Sequence, residues 1–86
     1  MSGSDVIKIS AALRGEGKFR EAIDTVKAQL GTISEDARLN ANLEIFYAAK
    51  EAGFTDEACE YAKKVLADDP DVPSPKEFLA SRGIGT

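Results

Sequence analysis

The residues able to do chemistry are few. Cys59 is the single thiol, placed about one turn inside a predicted helix, where the positive helix start lowers a thiol pKa modestly. The sequence contains no histidine. That removes the usual general base, the commonest metal ligand and the Cys–His pair. Cys59 therefore reads as a structural, half-buried cysteine. Asp68, Asp69 and Asp71 could suggest a hard-cation site, but the glycine and terminal glutamate of a calcium loop are missing. They read as a solvated linker. Gly15-Glu16-Gly17 is no phosphate loop, since no strand precedes it and no Gly-Lys-Ser/Thr follows. Carboxylates are plentiful, yet most have a local explanation at helix starts and none is paired for proton sharing. The expectation is a protein that is not an enzyme and uses no cofactor or metal.

Charge narrows the partners. Eleven Lys and Arg against fifteen Asp and Glu give a net charge of -4. Phosphate backbones and anionic membrane surfaces both require a basic face, so neither nucleic acid nor membrane is an expected partner. No apolar run approaches the roughly 20 residues of a bilayer span. Met-Ser-Gly-Ser-Asp at the start lacks the basic and apolar segments of a secretory signal. With a lone cysteine, the expected compartment is the cytoplasm. At 43% hydrophobic and 30% charged residues the composition is globular, not disordered. Its 86 residues suffice for one domain.

The elements that must position any site are helices. No stretch alternates cleanly enough for a strand. Prolines occur only at 70, 73 and 75, so nothing earlier breaks a helix. The spacing predicts a helix from Asp5 to Arg14 capped by Ser4, and a second from Lys18 to Leu30 closed by Gly31. A third follows Ser34 and runs to Ala52. A fourth follows Thr55, with Asp56 and Glu57 in its first turn, and ends near Ala67. Ser74-Pro75-Lys76-Glu77 reads as a capping box that opens a short fifth helix, ended by Gly83. The third helix is apolar almost all round, which marks it as the buried centre. Short connections favour antiparallel neighbours.

Two segments repeat. Residues 17–30 (GKFREAIDTVKAQL) and 53–66 (GFTDEACEYAKKVL) match without gaps at five of fourteen positions, at an offset of 36 residues. The matches are Gly17/Gly53, Glu21/Glu57, Ala22/Ala58, Lys27/Lys63 and Leu30/Leu66. Two helices in such a period is the spacing of a helical solenoid. Ala22 and Ala58 sit on apolar stripes, where a small side chain lets helix axes approach to about 8–10 Å.

In these features the chain resembles the tetratricopeptide repeat (TPR), over roughly residues 4–70. Gly53, Ala58, Leu66 and Pro70 fall at that motif's spacing, as do Gly17, Phe19, Ala22, Ile23 and Leu30 with Val6, Ile9 and Leu13. Asn42, Phe46 and Ser34 depart from it, and the period exceeds the family's 34 residues. The resemblance implies an all-α fold of two antiparallel helical hairpins, residues 4–33 and 34–70, in one domain. A capping helix at 74–83 would lay Phe78, Leu79 and Ile84 over the open end.

The resemblance also implies a site. In TPR proteins the first helix of each hairpin lines a concave face where partner peptides lie. Here that face carries Ser4, Ile7, Ala11 and Arg14, then Asn40, Leu43, Tyr47 and Lys50. Spacings of three and four put each set on one stripe. Ile7, Ala11 and Leu43 make an apolar floor, Tyr47 an amphipathic anchor, and Arg14 and Lys50 a basic end. Leu43 and Tyr47 are equally suited to plain packing, and Arg14 and Lys50 to complementing helix dipoles. The expected function is a protein–protein interaction module. The alternatives are a self-associating assembly unit, such as a homodimer, or an accessory subunit of an enzyme complex.

Overall fold

Apolar residues at helical spacing, punctuated by glycine, fold into five helices. In the computed structural model, which describes residues 3–83 and the side chains of residues 5–83, these are α1 (Gly3–Gly15), α2 (Phe19–Gln29), α3 (Glu35–Ala52), α4 (Thr55–Asp68) and α5 (Pro73–Ser81). No strand occurs among the described residues. Helix α1 packs on α2 and α3, α2 on α3, α3 on α4, and α4 on α5. The Cα radius of gyration, 12.1 Å, matches the roughly 12 Å of a compact chain of this length.

The buried centre is α3, as its composition predicts. It contributes Ala41, Ile45, Phe46, Ala48 and Ala49 to the core. Around them close Val6 of α1, Ala22, Ile23 and Val26 of α2, and Ala58, Tyr61 and Ala62 of α4. Many of these are alanines, so backbones approach closely and larger side chains fill the gaps between. Phe78 and Leu79 of α5 join the same cluster, and the Phe78 ring meets Phe46 edge-on with centroids 5.4 Å apart.

The repeat is visible in the turns. Gly17 and Gly53 both take left-handed backbone, at φ 78° and 80°. At the first turn the Lys18 N–H donates to the Leu13 carbonyl at 2.9 Å and the Gly17 N–H to Arg14 at 3.0 Å. At the second, Phe54 donates to Ala49 at 2.8 Å and Gly53 to Lys50 at 3.2 Å. These are the paired bonds of a Schellman stop, repeated bond for bond 36 residues apart. Glu57 bridges α4 to α2, receiving Arg20 Nη2 at 2.6 Å and Lys27 Nζ at 3.0 Å.

The helix ends differ from expectation in four places. Gly31 does not close α2 with left-handed backbone. Leu30 stays right-handed, and the Thr32 and Ile33 N–H groups both donate to the Gln29 carbonyl, which turns buried Ile33 into the core. Helix α5 starts at Pro73 with Val72 as cap residue, and the predicted capping box does not form. Two of its first three residues are prolines without an N–H, so few donors need a cap. Ser34 precedes α3 in extended backbone, but its hydroxyl makes no capping bond. Helix α1 already begins at Gly3, which puts Ser4 inside it and not before it. The Ser4 side chain and Ile84 lie outside the described residues. No helix among those described is long and apolar enough to cross a membrane.

Candidate functional site

Where α1 crosses the outer side of α3, the two helices leave an open groove of about 550 Å³. Helix α1 supplies Ile7 and Lys8; α3 supplies Asp36, Ala37, Asn40, Leu43, Glu44 and Tyr47, with Ser34 just before it. The α3 residues recur every three or four positions, so one stripe of that helix forms the floor. Leu43 and Tyr47 are half-buried and also pack against the core, while Asn40 is exposed.

Of the residues expected on this face, Ile7, Asn40, Leu43 and Tyr47 line the groove together. Ala11 is half-buried on α1 and does not line it. Arg14 does not line it either. Its Nε lies 3.5 Å from Glu44 Oε1 and 3.4 Å from Glu51 Oε2, and its guanidinium stands 5.5 Å from the Tyr47 ring centroid. Lys50 lies elsewhere, in a cleft of about 280 Å³ with Ser74, Glu77, Phe78 and Ser81, its Nζ 5.9 Å from the Phe46 ring. The Tyr47 hydroxyl donates to Ser74 Oγ at 3.4 Å, which ties the groove floor to α5.

Sequence reasoning missed Glu44, the most constrained polar residue of the groove. Only 7% of it is exposed, and Ser10, fully buried on α1, donates to its Oε1 at 3.4 Å. Burial pushes the Glu44 carboxyl above its ordinary value; Arg14 and the Ser10 hydrogen bond pull against this, and Glu51 adds to it. The signal was available, since Glu44 stands four residues after Asn40 and three before Tyr47, on the same stripe. The groove thus combines an apolar floor with one buried, partly compensated carboxylate in its lining.

Cys59 is a free, half-buried thiol on α4. Among the described residues no group of three His, Cys, Asp or Glu is placed to hold a metal ion. The chain matches no protein-family model, no curated protein and no solved structure.

Proposed function

We propose that this chain is a non-catalytic protein-interaction module, a TPR-like pair of antiparallel helical hairpins capped by α5. Its α1–α3 groove receives a partner helix or extended peptide. The observation that carries this reading is the convergence of Ile7, Asn40, Leu43 and Tyr47, from two helices, on one open groove. The repeated Gly17 and Gly53 turns and the packing of α3 on both α1 and α2 support the hairpin array. Tyr47 supplies a rigid amphipathic anchor, and Leu43 the apolar contact beside it.

The test is partner capture from native extract, with wild type and variants side by side. Leu43→Ser with Tyr47→Ala should weaken capture about 30-fold, the loss of one interface hot spot. Both residues touch the core, so Asn40→Lys, at an exposed position, serves as a second variant that leaves packing alone. Full capture by both variants, each with wild-type helical circular dichroism, overturns the groove assignment.

One observation favours a second reading, self-association through α1. Ile9 is 39% exposed there, with exposed Ala12 three residues on. A strict monomer in light scattering across a concentration series sinks it.

A further inference from the structure

We propose that the corner where the ends of α2 and α4 meet the first half of α3 is a binding site for a carboxylate group. A cavity of about 460 Å³ opens there, lined by Leu30, Gly31, Arg38, Asn42, Lys64 and Asp68 among others. That size suits a small ligand or a single side chain, near the low end of the roughly 300–1,000 Å³ of ligand sites. The corner is separate from the groove. At about 100° per residue, Arg38 and Asn42 share one stripe of α3, on the side away from Asn40, Leu43 and Tyr47.

Asn42 is the first sign of a ligand. It is only 7% exposed, yet its amide has no hydrogen-bond partner among the described residues. No fully enclosed side-chain nitrogen or oxygen among those residues lacks a partner. The Asn42 amide therefore keeps some access, and the cavity it lines provides it. A shielded amide without partners gains from any group that restores its hydrogen bonds.

Arg38 is the second sign. Its guanidinium donates one long bond, 3.5 Å to the Ile33 carbonyl, and makes no ion pair among the described residues. Lys64 adds an ammonium whose only ion pair among the described residues is an exposed one, 3.6 Å from Glu60 on its own helix. A carboxylate accepts two parallel bonds from a guanidinium and a further one from an amide N–H.

Charge selects the anion. Arg38 and Lys64 against Asp68 leave one net positive charge, and the C-terminal ends of α2 and α4 lend partial negative charge. One negative charge fits this balance better than the nearly two of a phosphate. A chain of net charge -4 attracts anions poorly overall, so capture depends on these local donors. The carboxylate can belong to a small acid or to an acidic peptide side chain.

Sodium acetate titrated into the full ¹⁵N-labelled chain, against sodium chloride at matched ionic strength, tests the site. Acetate should produce saturable shifts of the Asn42 side-chain amide and the Arg38 Nε–H, and chloride should not. Arg38→Gln and Asn42→Ala should each weaken acetate binding about tenfold. Arg38 is exposed, so its variant keeps the test sound if Asn42→Ala fails to fold. Inorganic phosphate should bind more weakly than acetate. Glutarate and an N-acetylated, C-amidated Ala-Glu-Ala peptide then distinguish the two sources by which binds more tightly. Acetate shifts no larger than chloride's, shifts that survive Arg38→Gln, or tighter binding of phosphate would overturn the proposal. The Leu43→Ser, Tyr47→Ala variant should leave acetate binding unchanged, which separates this site from the groove.

Discussion

At the scale of single residues, burial of Glu44 ties the stability of the fold to pH. Burial raises its pKa, and Arg14 and Ser10 offset that only in part. A carboxyl whose folded pKa lies above its unfolded value stabilises the fold below the unfolded value. That contribution is lost as pH rises through the folded one. Glu44→Gln keeps the shape and removes the titration. The variant should therefore resist urea at least as well as wild type at pH 7, with an advantage that shrinks as pH falls through the carboxylate range. Urea midpoints of both proteins at several pH values check this. An advantage for wild type at pH 7 that fades on acidification would show Arg14 to dominate instead. Lys27 is the opposite balance of causes. Burial alone would lower its pKa, but the Glu57 hydrogen bond and the Tyr61 and Glu57 charges outweigh it, and the pKa is raised. Its contribution is present below the unfolded lysine value and lost only as pH climbs through the folded one.

At the scale of elements, the glycines separate into two kinds. Gly17 and Gly53 hold φ near +80°, and a Cβ at either would meet nothing within 4 Å. Alanine there clashes with no neighbour but strains its own backbone, so each substitution should cost about 1–2 kcal/mol. Gly31 also has open space, but not a positive φ. Gly31→Ala should stabilise by about 0.4–1 kcal/mol by restricting the unfolded chain. Thermal melts of the three variants check the contrast, and equal losses at all three would contradict it. The same contrast explains what the sequence made legible. All three glycines follow apolar-periodic stretches and look alike in one dimension. Only the 36-residue self-match singles out Gly17 and Gly53, because it pairs turns that make the same hydrogen bonds. The central place of α3 was legible from the alanines and large apolar residues it carries on several sides. The start of α5 was not, because Ser74-Pro75-Lys76-Glu77 satisfies a local capping rule. The chain instead uses Pro73 to begin two residues earlier than that box and turns Ser74 toward Tyr47. Half of the groove was legible as helical stripes. Of the rest, Asp36, Ala37 and Glu44 adjoin the same α3 stripe, whereas Lys8 depends on which side of α1 faces α3, which periodicity within one helix cannot fix.

At the scale of the whole molecule, α5 closes the core beside α4. A chain this short buries only roughly 60–65% of its unfolded surface, so each closing contact is a large share of its stability. Helix α5 packs on α4, and Phe78 and Leu79 reach the common core, where Phe78 meets Phe46. The Tyr47–Ser74 bond adds a polar link from the groove to the same helix. Removing the aromatic ring therefore acts in two ways. Phe78→Ala should cost about 3–5 kcal/mol, the usual loss for a buried phenylalanine. It should also loosen α5 and uncover apolar surface around Phe46, which a second copy can cover. Deleting residues 74–86 should do both more severely. Light scattering and urea melts on the same samples distinguish these effects. Association that rises with concentration in Phe78→Ala, but not in wild type, marks α5 as the cap of the array. A destabilised variant that stays monomeric at every concentration would reduce α5 to ordinary core packing, and the α4 side would then need no cover.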